Sequence, residues 1–261
     1  MRVVQLGAGT PSVAVVGAVH GDEPCGARAV ERLVADDPAV ERPVKLIVAN
    51  EAALSAGVRF LDADLNRAFG EDASAGHEQA LAPRLADELA GCVVLSIHST
   101  QSTDEPFALV DGDHDRATAI CPFLSVAALV ETAVGEGRLF AIDAELVEVE
   151  AGQQGTADAA ENAYRIAREF LAATGVLPGP SRPRELPRFR LESAIPKPPG
   201  SRYRVLADNF EPVAAGETFA TVDGEPVVAE TRFHPVLLSP EGYADVFGYR
   251  ATPLEPLPAP G

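Results

Sequence analysis

Short apolar runs alternate with amphipathic segments over the first two-thirds of the chain. The runs are rich in β-branched residues and predict buried strands at residues 13–19, 44–48, 92–97 and 146–150. Between them, residues 25–34 and 78–89 carry apolar side chains at three- and four-residue spacing, which predicts helices. Thr156 is a predicted N-cap for a further helix that reaches about Thr174. This alternation predicts an α/β fold with a largely parallel sheet.

The pattern changes after Gly175. Seven prolines between residues 178 and 200 exclude a regular helix and predict a stiff connection. Short apolar runs punctuated by Gly and Pro follow over 201–252 and predict a small all-β module. We therefore expect a main α/β domain over 1–177, a Pro-rich connection over 178–200, the β module, and a disordered tail over 253–261.

Composition narrows the classes of function. The chain has 261 residues, of which 46% are hydrophobic and 23% are charged, a balance typical of a globular protein with a real core. No run of about 18 apolar residues predicts a membrane span, and the N-terminus does not resemble a signal peptide. Three cysteines without a CxxC pair are typical of a reduced cytoplasm.

The net charge of −18 is spread along the whole chain, with only two lysines, Lys45 and Lys197. Such a surface repels nucleic acids and anionic membranes, so neither is an expected partner. High salt shortens the Debye length and screens the self-repulsion of the surface. The charge therefore predicts a halophilic protein in a salt-rich cytoplasm, with an ordinary acidic protein as the alternative.

Two histidines and a glutamate stand where strands end. His20 and Glu23 follow the first buried run at a spacing that lets their side chains converge in the first turn of a helix, and His98 follows the third run. Open α/β sheets bind ligands beyond the carboxyl ends of their strands. A catalytic zinc takes three such ligands and keeps a fourth position for water. The pattern predicts a metal site, although His-x-x-Glu alone is also compatible with ordinary polar residues at a helix start.

Two further segments carry candidate chemistry. Residues 59–67 contain two arginines, two aspartates and an asparagine, and arginine is the natural clamp for a carboxylate. A solvated charged loop is the alternative for this segment. Glu148 and Glu150 lie on one face of their strand, so periodicity does not choose between them.

These motifs together resemble a known family. His-Gly-Asp-Glu at 20–23, Asp-Leu-Asn-Arg at 64–67, the strand-end His98 and Glu-Ala-Gly at 150–152 occur in the order typical of the aspartoacylase and succinylglutamate desuccinylase family. These proteins are zinc-dependent deacylases related to the metallocarboxypeptidases. The resemblance covers about residues 13–155. It implies a metallocarboxypeptidase-like, mostly parallel sheet flanked by helices, with a small all-β C-terminal module.

The resemblance also implies roles for individual residues. His20, Glu23 and His98 would bind one zinc ion per chain, and residues 1–177 would form the catalytic domain. Glu150 would be the catalytic glutamate, because it alone begins Glu-x-Gly, and Arg67 would polarise the scissile carbonyl. The residues implied to contact substrate are Arg59, Asn66, Arg67, Arg138 and Tyr243.

Two positions depart from the family pattern. Ser96 stands two residues before His98, where the family usually has Asp, so an acid that would orient the ligand and tune its basicity is missing there. Residues 153–155, Gln-Gln-Gly, replace a proline-containing segment of the family. We expect the substrate contacts near that turn to differ.

The function that the resemblance implies is hydrolysis of the amide bond of a small anionic N-acyl amino acid, similar to N-acetylaspartate or N-succinylglutamate. Water activated by the metal would attack, with Glu150 as the general base. Two other functions stay open on the sequence: a metallocarboxypeptidase-type peptidase, and a non-enzymatic protein that binds a metal or a small molecule. Assembly into a homo-oligomer stays equally open.

Overall fold

The computed structural model describes residues 1–70, 76–112, 115–132, 138–179 and 182–259. Over these residues the chain forms a ten-stranded mixed sheet with helices on both faces, and a separate three-stranded antiparallel sheet. The strands are β1 Arg2–Leu6, β2 Val13–Gly17, β3 Val44–Val48, β4 Val93–Thr100, β5 Phe107–Asp111, β6 Leu129–Thr132, β7 Glu145–Gln153, β8 Leu186–Pro196, β9 Tyr203–Val205, β10 Thr218–Val222, β11 Glu225–Val228, β12 His234–Val236 and β13 Val246–Leu257. The helices are α1 Pro24–Asp36, α2 Glu51–Ala56, α3 His77–Leu89, α4 Asp115–Ile120 and α5 Ala157–Ala173.

The large sheet has the order β1-β3-β2-β4-β7-β5-β6-β8-β13-β12. Its central pairs β3–β2, β2–β4 and β4–β7 are parallel, as the alternation of strands and helices predicts. Antiparallel pairs occur at β1–β3, β5–β7, β8–β13 and β12–β13. The predicted fold class is therefore confirmed: a mostly parallel sheet flanked by helices, with a small β sheet near the C-terminus.

The central strands are buried because the sheet has a core on each face. All five residues of β2 are buried, and they alternate between the two cores. Val13 and Val15 pack in the cluster that includes residues of α1, α4 and α5, whereas Ala14 and Val16 pack in the cluster that includes residues of α3. A strand that is covered on both faces appears in the sequence as a continuous apolar run. This is the pattern that predicted β2.

The Pro-rich connection and the tail differ from their predictions. Residues 186–196 form β8, whose two prolines, Pro187 and Pro196, lie near its ends, where strands tolerate proline. The predicted disorder of the tail is wrong for residues 253–257, because they continue β13 and pair with the first half of β8. Residues 180–181 and 260–261 of these predicted segments lie outside the described residues.

The C-terminal region contributes to both sheets. β9, β10 and β11 form the small sheet, which shares a third core with the large sheet: Phe219 of β10 packs there with Phe233 and with Phe247 of β13. β12 and β13 instead continue the large sheet next to β8. The domain boundaries at residues 177, 200 and 252 stay a prediction.

All three cysteines are buried free thiols. Among the described residues, no helix combines the length and apolarity that a bilayer crossing needs.

Candidate active site

A cavity of about 380 Å³ opens beyond the carboxyl ends of β2, β4 and β7. His20 and Glu23 reach it from the turn between β2 and α1, His98 from the end of β4, and Glu150 from β7. Gly21 allows that turn to touch α2, because a Cβ at this position would lie 2.1 Å from the backbone carbon of Ala53. The glycine of the His-Gly-Asp-Glu motif is thus a packing requirement.

Three side chains in this cavity form a compact donor set. His20, Glu23 and His98 are all buried, and each offers one ligand atom such that these atoms lie within 4.8 Å of one another. Glu23 lies between the imidazoles: its Oε1 is 2.8 Å from Nδ1 of His20, and its Oε2 is 3.0 Å from Nδ1 of His98. Two imidazole nitrogens and a carboxylate are a donor set that zinc takes in catalytic sites. The residues present therefore fit a zinc ion.

The ionisation states of Glu23 and of the two histidines depend on one another. Burial by itself raises the pKa of the Glu23 carboxyl, but His20 and His98 hold it well below its usual range. Burial lowers the pKa of His98, yet the hydrogen bond and charge of Glu23 raise it to about 9. The cluster therefore favours positive charge around the Glu23 carboxylate.

The far nitrogens of the two histidines are also held. Nε2 of His20 lies 3.1 Å from Oδ1 of Asp64, and Nε2 of His98 lies 3.0 Å from Oγ of Ser96. Oε1 of Glu148 is 3.9 Å from the same nitrogen of His98. A partner at Nε2 fixes the ring and leaves Nδ1 to a ligand on the other side.

Arg59 is engaged with the same cluster. Its Nε and Nη2 donate to Oδ2 of Asp64 at 3.2 and 3.1 Å, and its Nη1 donates to Oε1 of Glu23 at 3.0 Å. Arg59 lines the cavity, but its planar fork is directed at these two carboxylates and at Nε2 of His20, which lies 2.9 Å from its Nη2. Its contact with substrate stays a prediction. No pattern in the sequence predicts this arrangement.

A buried glutamate fixes the backbone that carries Arg59 and Asp64. Oε1 of Glu78 accepts hydrogen bonds from Leu61 N at 2.8 Å and from Asn50 Nδ2 at 3.0 Å. Oε2 accepts from the backbone N–H groups of Asp62 and Ala63 at 3.0 and 3.2 Å. Burial opposes ionisation, but these donors lower the pKa of Glu78 to about 2. Sequence reasoning assigned Glu78 only to a helix and missed this role.

Asn66 and Arg67 follow in a short 3₁₀ turn, Leu65–Arg67. Asn66 is fixed on three sides: its N–H donates to Asp64 Oδ1 at 2.9 Å, its Oδ1 accepts from Leu139 N at 2.8 Å, and its Nδ2 donates to Glu148 Oε1 at 3.4 Å. Nη1 of Arg67 donates to the carbonyl of Asn66 at 2.6 Å. Both residues line the cavity, and their contacts with substrate stay a prediction.

The two glutamates of β7 have different surroundings. Ser96 pairs with Glu148 and His98 pairs with Glu150 in the register of β4 and β7. Oε2 of Glu150 is buried and has no hydrogen-bond partner among the residues that the structure describes. Burial together with the charge of Glu23 raises the pKa of Glu150 to about 7. Glu148, in contrast, accepts a hydrogen bond from Asn66. A buried carboxylate with a pKa near neutrality is suited to exchange a proton in the cavity.

Arg138 and Tyr243 complete the predicted residues that line the cavity. Tyr243 belongs to a C-terminal segment whose backbone is held by Lys197, since Nζ of Lys197 donates to the carbonyls of Pro240 and Tyr243. Burial raises the pKa of the Tyr243 hydroxyl. The structure thus brings all of the predicted metal, catalytic and substrate residues to one cavity.

The fold and the cavity define an α/β protein that gathers polar groups beyond the carboxyl ends of parallel strands. The sequence model of the succinylglutamate desuccinylase/aspartoacylase catalytic domain matches residues 9–174. The chain belongs to this family, which is a family of hydrolases that act as deacylases. None of the curated proteins matches the chain significantly.

Solved structures with the same fold cover almost the whole chain. A succinylglutamate desuccinylase/aspartoacylase from Rhodobacter sphaeroides has a TM-score of 0.79 at 19% identity, covering 97% of this chain and 88% of that one. The ectoine utilization protein EutE (DoeB) from Ruegeria pomeroyi has a TM-score of 0.78 at 21% identity, covering 96% and 87%. Murine aminoacylase 3 has a TM-score of 0.75 at 22% identity, covering 97% and 99%. At these identities the likeness concerns the fold.

Proposed function

We propose that this protein is a zinc-dependent deacylase that hydrolyses the amide bond of a small N-acyl amino acid. The observation that carries the proposal is that one cavity contains both the His20, Glu23 and His98 donor set and the buried Oε2 of Glu150, which no group of the described residues hydrogen-bonds. Membership of a deacylase family supports the same reaction class.

The three donors would hold the zinc through Nδ1 of each histidine and the carboxylate of Glu23. When bound there, zinc supplies Lewis acidity to a water and to the oxygen of a carbonyl group. Asp64 steadies His20 from the far side, since it lies at hydrogen-bond distance from Nε2. The ligands are thus held in place by a second layer of contacts.

Glu150 would move the proton. Its Oε2 is buried and, within the described part of the chain, has no hydrogen-bond partner, and its pKa is about 7. It can therefore accept a proton from the attacking water and return it to the departing amine nitrogen. General acid–base transfer of this kind contributes about 10² to 10⁴ in rate. Glu148 is less suited to the task because Asn66 already donates to its carboxylate.

Arg67 and Asn66 would bind the acyl end of the substrate. The guanidinium of Arg67 lines the cavity and stabilises the negative charge that develops on the carbonyl oxygen. Arg138 and Tyr243, which also line the cavity, would bind the carboxylate of the amino acid. Arg59 lines the same cavity and would join them as a further cation for the substrate; its guanidinium also contacts Asp64, Glu23 and Nε2 of His20.

The shape of the cavity favours a small N-acyl amino acid over a peptide. Residues of the C-terminal segment, among them Leu237, Ser239 and Tyr243, form part of its wall, and its volume of about 380 Å³ is near the lower end for small-molecule pockets. A carboxypeptidase needs an open groove for the rest of the peptide.

We also propose that the protein works in a salt-rich cytoplasm, which its net charge of −18 supports.

The test is a substrate panel with zinc supplied: N-acetylaspartate, N-succinylglutamate, other N-acyl amino acids and short peptides, with release of the free amino acid as the readout. We expect turnover of at least one N-acyl amino acid and none of the peptides. Turnover of peptides alone would establish the peptidase instead. A wild-type protein that binds no zinc would refute the proposal.

A further inference from the structure

The two histidines of the donor set are held differently at their far nitrogens. Nε2 of His20 is 3.1 Å from a carboxylate oxygen of Asp64. Nε2 of His98 is 3.0 Å from the neutral hydroxyl of Ser96. A carboxylate orients an imidazole and raises the basicity of its other nitrogen, whereas a hydroxyl mainly orients it. On β4, therefore, Nε2 of His98 has a neutral hydroxyl as its partner, whereas Nε2 of His20 has the charged carboxylate of Asp64.

A carboxylate does reach His98 from the neighbouring strand. Glu148 stands opposite Ser96 in the parallel register of β4 and β7, and its Oε1 lies 3.9 Å from Nε2 of His98. That distance is within ion-pair range but longer than a hydrogen bond. The side chain of Glu148 is 6% exposed, so little solvent screens its charge from the imidazole.

Glu148 is itself fixed in position. Its Oε1 accepts a hydrogen bond from Nδ2 of Asn66, whose Oδ1 in turn accepts one from the backbone of Leu139. The same carboxylate oxygen is therefore directed at a metal-ligand histidine and at a residue of the substrate segment. Burial of a carboxylate costs free energy unless a partner compensates it. His98 and Asn66 are the partners that the carboxylate of Glu148 contacts.

We propose that Glu148 is a positioning residue that acts through His98: from the neighbouring strand it supplies, near Nε2 of His98, the negative charge that is missing at position 96. Ser96 makes the hydrogen bond to the ring, and Glu148 provides the charge that strengthens His98 as a ligand. Glu148 also keeps Asn66 directed into the cavity. This inference rests on the proposed function, because it assigns His98 to the zinc.

The test compares four proteins: the wild type, Glu148→Gln, the double variant Ser96→Asp with Glu148→Gln, and Glu192→Gln as a control from an exposed strand position of the same sheet. The measurement is the zinc dissociation constant by competition with a chromophoric chelator. Thermal unfolding of the metal-free proteins establishes that each is folded. We expect Glu148→Gln to weaken zinc binding by about 10- to 100-fold, the usual effect of losing an outer partner, and Glu192→Gln to leave it unchanged.

The double variant separates positioning from general damage. Asp at position 96 places a carboxylate next to His98 on its own strand, so we expect it to restore most of the lost affinity although Glu148 is still absent. Equal affinity of the wild type and Glu148→Gln would overturn the inference, as would a loss that Ser96→Asp does not recover. A wild type without zinc affinity would instead refute the proposed function, so the two failures are distinguishable.

Discussion

His98 and Glu23 lie 75 positions apart in the sequence, yet Nδ1 of His98 is 3.0 Å from Oε2 of Glu23. The contact crosses from β4 to the start of α1, and the backbone N–H of Ser99 lies 3.3 Å from the same oxygen. Glu23 is thus held between two strand ends. The donor set is assembled by the parallel pairing of β2 and β4.

Removal of His98 should therefore abolish tight zinc binding without unfolding the protein. We expect His98→Ala to lose more affinity than the ~10- to 100-fold that loss of an outer partner causes, because it removes a ligand itself. The measurement is bound zinc per chain after dialysis. His234→Ala is the matched control, because His234 lies on β12, outside the residues that line the cavity. Retention of one zinc by His98→Ala would contradict the assignment.

Replacement of Glu150 should separate catalysis from metal binding. We expect Glu150→Gln to keep its zinc and to lower kcat by about 10² to 10⁴, because an amide cannot carry the proton. The measurement is steady-state hydrolysis of the best substrate of the panel, with bound zinc determined on the same sample. Glu148→Gln, assayed at saturating zinc, serves for comparison and should lose much less in kcat. A reversed ranking of the two variants would make Glu148 the base.

The strands that carry the site could be predicted because they are buried on both faces. Such strands appear as apolar runs, and the polar residues that end them stand out. Parallel pairing then brings His20, His98 and Glu150 to the same edge of the sheet without further information. These positions follow from local sequence and one topological rule.

The contacts among these residues could not be predicted in the same way. Alternation puts Glu148 and Glu150 on one face, and what separates them is the hydrogen bond from Asn66, a residue 82 positions away in the sequence. The fork of Arg59 is directed at Asp64 and Glu23 by the turn that Glu78 holds. The prolines in β8 and at the end of β13 prevented a prediction of these strands from the sequence. Proline disfavours a strand in general, but a strand tolerates it at positions where no ladder hydrogen bond is needed.

Glu78 should stabilise the fold in a pH-dependent manner. Its pKa of about 2 lies below the value of 4.5 expected when it is exposed, so its contribution is complete above pH 4.5 and is lost as the pH falls from there towards 2. We expect Glu78→Gln to lower the free energy of unfolding by about 2 kcal/mol at pH 7, because donors to a charged acceptor are left poorly paired. The difference in the free energy of unfolding between the wild type and Glu78→Gln should be smaller at pH 3 than at pH 7.

Urea unfolding of the wild type and Glu78→Gln at both pH values measures this effect, with Glu192→Gln as the exposed control. Because Glu78 fixes the backbone before Asp64, the variant should also have a raised KM for the substrate. A difference in stability that is the same at pH 7 and pH 3 would show that the charge of Glu78 is not the stabilising feature.

The net charge of −18 should make catalysis depend on salt. An anionic substrate approaching this surface is repelled at long range, and the arginines of the cavity act only at short range. Added salt screens the repulsion, so we expect KM to rise as salt is lowered from several molar to about 0.2 M, with kcat much less affected. Hydrolysis of an uncharged amide analogue, measured in parallel, should show no such rise. Circular dichroism at each salt concentration separates this effect from unfolding, and a flat KM with the fold intact would contradict the electrostatic argument.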